Sequence, residues 1–251
     1  MSLHSERAGT GSRVVLVHGF TQTARCWGPI ATDLEQDHEV VRVDAPGHGG
    51  SRDVEAGLRE GAVLIGDAGG LATYVGYSMG ARLCLHLALA QPSRVRALVL
   101  IGGTAGIEDQ AERAARREQD LRTAQRIASQ GLEAFLDDWL AQPLFATLPA
   151  EAACREERLA NTVRGLQSSL VRAGTGSQEP LWDQLPRLSM PVLVVAGARD
   201  AKFAALAEKM ASAIGERATL ALVPDAGHTA HLEQPVAFLS ILRPWLAAHD
   251  L

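Results

Sequence analysis

The 251-residue sequence predicts an α/β fold, a doubly wound and mostly parallel sheet flanked by helices, with an all-helical cap inserted into it. Three observations predict it. Short runs rich in β-branched residues alternate with helix-like stretches. Most of these runs are apolar on both faces, as strands covered by helices on both sides require. Between residues 104 and 184 the alternation stops, and only helical pattern remains.

The first run, 13–18, reads Arg13-Val14-Val15-Leu16-Val17-His18 and is stopped by Gly19. Similar runs follow at 39–43, Ala72–Tyr77, Val95–Ile101, 192–196 and 219–223. Helix-like stretches occupy 25–35, Met79–Ala90, Ala201–Ile214 and Pro235–Ala248; in the second, Leu83, Leu87 and Ala90 share one face. Gly131, Pro143 and Pro149 divide the strand-free stretch into short helices with apolar spacings such as Leu132, Phe135, Leu136 and Trp139. A stretch of about 80 residues inside a sheet domain reads as a lid rather than a linker. The expected organisation is a core of residues 1–103 and 185–251, with a cap of 104–184 following the sixth strand region. The first recognisable strand begins near residue 13, so any leading hairpin is expected to be short or frayed. The glycine-rich stretch 61–70 reads as a loop or short helix before the third run, and it lacks the Lys-Ser/Thr of a phosphate loop.

Composition narrows the class. Hydrophobic residues make up 47% and charged residues 21%, which excludes a disordered chain. A net charge of −5 offers no basic field for nucleic acid or anionic lipid. No apolar run approaches the ~18 residues of a membrane helix, and residues 1–12 lack the apolar stretch of a secretory signal. The three cysteines, Cys26, Cys84 and Cys154, are widely spaced without a C-x-x-C, so a reduced, cytoplasmic protein without stable membrane association is expected. The sequence carries no signal for an oligomeric state.

The chemistry centres on Gly76-Tyr77-Ser78-Met79-Gly80, a G-x-S-x-G motif placed between a strand and a helix. That turn projects the serine hydroxyl at a helix N-terminus, whose partial positive charge favours a developing anion. A serine needs a histidine to take its proton and a carboxylate to orient that histidine. Asp200 follows the run 192–196 and His228 follows 219–223, in the order Ser, Asp, His and at ends of successive strands. The ordinary role of such an aspartate is a turn or helix cap. His231 is the rival for His228, and Asp225 the weaker rival for Asp200. The turn His18-Gly19-Phe20 can aim the Phe20 N–H at the same point as the Met79 N–H, forming an oxyanion hole. His18 itself is expected to make the turn, and His48, in Asp44-Ala45-Pro46-Gly47-His48-Gly49, to be structural or at the pocket rim.

Together the elbow, the His-Gly turn, the 44–49 loop and Asp200/His228 resemble the α/β-hydrolase fold over nearly the whole chain. Within it, the sequence resembles the 2-succinyl-6-hydroxy-2,4-cyclohexadiene-1-carboxylate synthases. Gly76-Tyr77-Ser78-Met79-Gly80-Ala81-Arg82 is similar to their elbow. In the cap, Glu112-Arg113-Ala114-Ala115-Arg116, Trp139-Leu140-Ala141-Gln142-Pro143-Leu144-Phe145 and Arg158-Leu159-Ala160-Asn161 are similar to theirs. Gly197-Ala198-Arg199-Asp200-Ala201-Lys202-Phe203 and Gly227-His228-Thr229-Ala230-His231-Leu232-Glu233-Gln234-Pro235 resemble their acid and histidine loops. The cap segments are the specific matches. Two positions depart: Ala81 replaces a second elbow glycine, and Leu140 stands where some members have tyrosine.

The resemblance implies a substrate with several carboxylates, which arginines grip bidentately. It implies a substrate-binding set of Arg82, Arg116, Arg158, Trp139, Phe145 and Thr21. Taken alone, cap arginines are ordinarily solvated and buried aromatics ordinarily core. The implied reaction is an elimination of pyruvate in which Ser78, His228 and Asp200 act as a base relay, with no metal or organic cofactor. The alternatives on the same scaffold are a carboxylesterase, in which Ser78 forms an acyl-enzyme, and a small-molecule binding protein without turnover.

Overall fold

A seven-stranded sheet organises residues 2–251, which the computed structural model describes. Its strands are β1 (Ser5–Ala8), β2 (Ser12–Val17), β3 (His38–Val43), β4 (Ala72–Tyr77), β5 (Val95–Ile101), β6 (Val192–Gly197) and β7 (Ala218–Val223). They lie in the order β1-β3-β2-β4-β5-β6-β7. β1 is antiparallel to β3, and every other pair is parallel. The six runs read from sequence are the six parallel strands. β4 and β6 are buried along their whole length, as their two-sided apolar pattern demands.

β1 has no apolar pattern because it lies at an edge and only one neighbour pairs with it. Its side chains instead bind charge across the sheet: Glu6 pairs with Arg25 and Arg42, and Arg7 with Glu39. The leading strand is therefore short but paired, Ser5 opposite Val43 and Ala8 opposite Val40. β7 forms the other edge, and its Leu220 and Leu222 are exposed.

The helices are α1 (Gly28–Leu34), α2 (Leu58–Gly69), α3 (Met79–Ala90), α4 (Gln110–Gln130), α5 (Leu132–Leu140), α6 (Arg155–Leu159), α7 (Val163–Ala173), α8 (Ala201–Ile214), α9 (Ala230–Glu233) and α10 (Pro235–Ala248). Alternate residues of one strand feed opposite cores. Val15 and Val17 of β2 pack with Ile65, Leu83, Leu87 and Met210 from α2, α3 and α8. Val14 and Leu16 pack with Ile30, Leu34, Phe238 and Leu242 from α1 and α10. Residues 61–69 belong to α2, a twelve-residue helix rather than a loop or short helix, and Gly70 ends it with a φ of 69°. Its buried Leu58, Ala62 and Ile65 supply the packing that its glycines do not favour by propensity.

Between β5 and β6 the described chain carries no strand, only α4 to α7 with turns, short 3-10 segments and loops. This insertion follows the fifth strand in chain order, not the sixth, since only β1 to β5 precede it. The Asp109 carboxylate accepts the Glu112 N–H at 2.8 Å to cap α4, and Thr162 caps α7 through the Gly165 N–H at 3.1 Å. Ala124, Ile127, Phe135, Leu166 and Leu170 form a small core inside the insertion, against which Phe20 and Trp139 pack.

Candidate active site

Ser78 sits on the turn between β4 and α3 with φ 51° and ψ −103°, a conformation a non-glycine residue holds only when its surroundings impose it. They do so by close approach. A Cβ at Gly76 would lie 2.5 Å from the Gly80 carbonyl carbon, and one at Gly80 only 2.0 Å from the Val17 oxygen. The Ser78 N–H is held by the Ile101 carbonyl at 2.8 Å. Ala81, the departure noted beside the elbow, is buried, and a Cβ on Gly103 would come within 2.8 Å of its methyl.

The structure brings the three predicted side chains together. Ser78 Oγ is 3.2 Å from His228 Nε2, and His228 Nδ1 is 2.9 Å from Asp200 Oδ2. The other Asp200 oxygen accepts the Phe203 N–H at 3.2 Å, so one carboxylate both caps α8 and orients the imidazole. His228 is buried, with the Phe203 ring 4.3 Å and the Tyr77 ring 5.4 Å from its own.

Neither rival takes part. His231 is buried between the Trp27 and Tyr77 rings, at 4.5 and 4.7 Å. Burial, with a smaller contribution from His228, pushes its pKa down to about 3, so it is neutral. Asp225 pairs with Arg199 at the surface, 2.6 Å away.

Two further histidines build the turn beneath the site. His18 Nε2 accepts the Ala45 N–H at 3.0 Å, leaving Nδ1 to donate to the Gly19 carbonyl at 2.8 Å. His48 likewise accepts the Thr21 N–H and donates to the Pro46 carbonyl. Both are fully buried, and burial lowers both pKa values, that of His48 to about 3. His48 is thus a strut and not part of the pocket rim.

A cavity of about 580 Å³ opens over the serine between the sheet's C-terminal edge and the insertion. Ser78, His228, Phe20, Met79, Arg82, Arg116, Arg158, Trp139 and Phe145 all line it. Met79 is the first residue of α3, so its N–H has no acceptor within the helix. Among the described residues, the Phe20 N–H has no protein acceptor.

The arginines differ in how they are held. Arg158 is 1% exposed; its Nε donates to the Ala153 carbonyl at 2.7 Å, and its Nη1 to the Thr21 hydroxyl and the Phe20 carbonyl. Arg82 is 7% exposed and donates to the Ala173 carbonyl at 2.8 Å. Burial, aided by the charge of Arg116, draws its pKa down to about 10, still protonated at neutral pH. Among the described residues neither Arg82 nor Arg158 pairs with a carboxylate. Arg116 does, 2.8 Å from Asp120 and half-buried.

Thr21 corrects one expectation. It is fully buried and does not line the cavity. Its hydroxyl accepts from Arg158, its carbonyl from Asn161 Nδ2 at 2.7 Å, and its own N–H binds His48. It fastens the insertion to the core and is screened from any substrate. Leu140 also lies outside the cavity, whereas Leu144 lines it.

Several lining residues were not predicted: Thr104, Ser169, Trp182, Lys202, Phe203 and Lys209. Lys209 pairs with Glu108 and stacks on the Trp182 ring at 4.1 Å, at the mouth. Lys202 and Phe203 directly follow the aspartate loop, a signal that was present. Trp182 and Lys209 carried none, because they meet only in the fold. The Trp139 Nε1 is buried and has no hydrogen-bond partner among the described residues.

Among the described residues, no helix is long and apolar enough to cross a membrane. The sequence profile of the alpha/beta hydrolase family matches residues 14–241. A protein of Salmonella newport (strain SL254) named 2-succinyl-6-hydroxy-2,4-cyclohexadiene-1-carboxylate synthase is 34% identical over 96% of this chain and 98% of its own length. The structure of MenH from S. aureus superposes with a TM-score of 0.91 at 28% identity, covering 99% of both chains. A thermophilic esterase from Thermogutta terrifontis, solved with malate bound, gives a TM-score of 0.86 at 25% identity over 99% of this chain and 94% of that one. The elbow, the buried histidine and these likenesses place the chain in one family: it belongs to the alpha/beta hydrolases.

Proposed function

We propose that this chain is a 2-succinyl-6-hydroxy-2,4-cyclohexadiene-1-carboxylate synthase, a carbon–oxygen lyase of menaquinone biosynthesis. Its substrate is 2-succinyl-5-enolpyruvyl-6-hydroxy-3-cyclohexene-1-carboxylate. One observation carries the reading: Arg82 and Arg158 line the same cavity as Ser78, buried and, among the described residues, without a carboxylate of their own. Two such cations are costly unless an anion joins them, and a substrate bearing several carboxylates is that anion. The full-length likeness to proteins of this name supports it.

In this reading residues 104–184 act as a cap that completes the pocket. Arg82 binds from the floor, and Arg116 and Arg158 from the cap. Trp139 and Phe145 form walls, and the free Trp139 N–H is an additional donor. Asp200 holds His228 with Nδ1 protonated, which leaves Nε2 to take the Ser78 proton. The Ser78 oxygen removes a ring proton; the electron pair moves through the ring and breaks the C–O bond to the enolpyruvyl group. That group leaves as the enolate of pyruvate and is protonated through His228. The Phe20 and Met79 N–H groups stabilise the negative charge that develops on oxygen. No step needs an acyl-enzyme.

A second reading, a carboxylesterase, is favoured by the likeness to an esterase, since the same relay serves an attacking serine. Its pocket would make little use of the two arginines. Parallel assays of pyruvate release and nitrophenyl ester turnover separate the two. Pyruvate release that disappears in Ser78→Ala supports the synthase, and ester turnover alone overturns it.

A further inference from the structure

Cys26 and Cys154 lie 128 positions apart in sequence, yet they meet where the insertion joins the core. Cys26 belongs to the short turn Ala24–Trp27 that follows β2, and Cys154 immediately precedes α6. The Cys154 Sγ is 3.4 Å from the Ala152 carbonyl oxygen and 3.9 Å from that of Cys26, and the Cys154 thiol lies beside the Cys26 sulfur. Cys154 holds a left-handed φ of 54° at the start of α6. The Thr23 N–H points at the Cys26 sulfur from 3.4 Å.

We propose that Cys26 and Cys154 form a reversible disulfide that ties the cap to the core when the protein meets a peroxide. Three features support it beyond proximity. Cys26 is buried but Cys154 is partly exposed, so Cys154 is the member of the pair nearer solvent and the first an oxidant would meet. The Cys154 thiol, the Thr23 N–H and the nearby Arg158 charge favour the thiolate of Cys26, whose pKa lies below its ordinary value, while the same contact and burial push the Cys154 thiol up, so the pair shares one proton. The third cysteine, Cys84, is buried within α3 in the core that packs under α2 and α8 and is not part of the pair.

The step balances with hydrogen peroxide as oxidant. The Cys154 thiol first passes its proton to the Cys26 sulfur, and the Cys154 thiolate attacks a peroxide oxygen; the O–O bond breaks, Cys154 becomes a sulfenic acid, and the hydroxide released takes the transferred proton back from Cys26 and leaves as water. The Cys26 thiolate attacks that sulfur, the S–S bond forms and the S–O bond breaks. The departing hydroxide leaves as water with a proton from solvent, matching the one Cys26 lost on becoming a thiolate. Two thiols lose two electrons, and the peroxide gains them. The consequence is local: Cys154 begins the segment that presents Arg158, so the bond pins that wall of the cavity, whatever the substrate.

The test treats the purified full chain with hydrogen peroxide, denatures it, alkylates free thiols and maps the peptides. The expected result is one alkylated cysteine, Cys84, and a linked Cys26–Cys154 peptide pair lighter by two hydrogen atoms, restored to three free thiols by dithiothreitol. The oxidised chain should also melt several degrees higher, because the bond closes a long loop. Cys84→Ala should form the same bond, and Cys154→Ser should leave Cys26 alkylatable. Both cysteines alkylated after peroxide, a Cys154 sulfinic acid with Cys26 free, or a dimer linked through Cys154 would each overturn the proposal.

Discussion

Arg158, on the insertion, donates to the hydroxyl of Thr21, 137 positions earlier at the end of the turn after β2. The same guanidinium reaches the Phe20 carbonyl and lines the cavity over Ser78. One side chain thus joins the two parts of the molecule and, among the described residues, pairs with no carboxylate. If it is held ready for a substrate carboxylate, Arg158→Met should lower kcat/KM for pyruvate release by roughly 10- to 100-fold, the worth of a charge-assisted hydrogen bond of about 1.5–3 kcal/mol. Labelling of Ser78 by a fluorophosphonate should be unchanged, because the elbow is built without Arg158. Loss of labelling would mean that the residue only supports the fold.

Asp200 does two jobs, and one substitution separates them. Asn caps helices about as well as Asp, so Asp200→Asn should keep α8 and melt within a few degrees of the native chain. It should stabilise the wrong histidine tautomer and reduce turnover by roughly 10³- to 10⁴-fold, as the loss of such a carboxylate does in a serine triad. Thermal melting and steady-state rates on the same preparation check it; a nearly active variant would remove Asp200 from the relay.

The elbow tolerates no side chain at Gly80. With a Cβ placed 2.0 Å from the Val17 oxygen, Gly80→Ala must push α3 off β2. Overpacking typically costs about 1–3 kcal/mol, and against backbone the upper end is expected. A urea midpoint equal to that of the native chain would contradict it.

Buried neutral histidines set an acid limit on stability. His231 and His48 have folded pKa values of about 3, below the ordinary 6.5 of the unfolded chain. Between those values the unfolded state binds protons that the folded state excludes. Their neutral forms therefore contribute fully above about pH 6.5, and the contribution is lost as pH falls toward 3. Urea midpoints measured from pH 7 to 4 should fall steadily, and His231→Phe should show a shallower decline. Parallel declines would show that His231 does not titrate on unfolding.

The parallel strands and the elbow were legible because they depend on local pattern: two-sided apolar runs, and glycines where the elbow backbone approaches backbone. Asp200 and His228 were legible from order and from their positions after strands. β1 was not, since an edge strand held by Glu6 and Arg7 shows no hydrophobic period. α2 was obscured by its glycines, which tertiary packing overrides. Thr21 was assigned to the substrate although its hydroxyl is taken by Arg158, a pairing that exists only in three dimensions. For the same reason Trp182 and Lys209 could not be placed at the cavity mouth.

The most direct measurement is pyruvate release from enzymatically generated 2-succinyl-5-enolpyruvyl-6-hydroxy-3-cyclohexene-1-carboxylate, comparing the native chain with Ser78→Ala and Arg116→Ala beside a short-chain nitrophenyl ester. The synthase account predicts rapid release, lowered by several orders of magnitude in Ser78→Ala and badly impaired in Arg116→Ala. Ester turnover without pyruvate release, or release undiminished in Ser78→Ala, would contradict it.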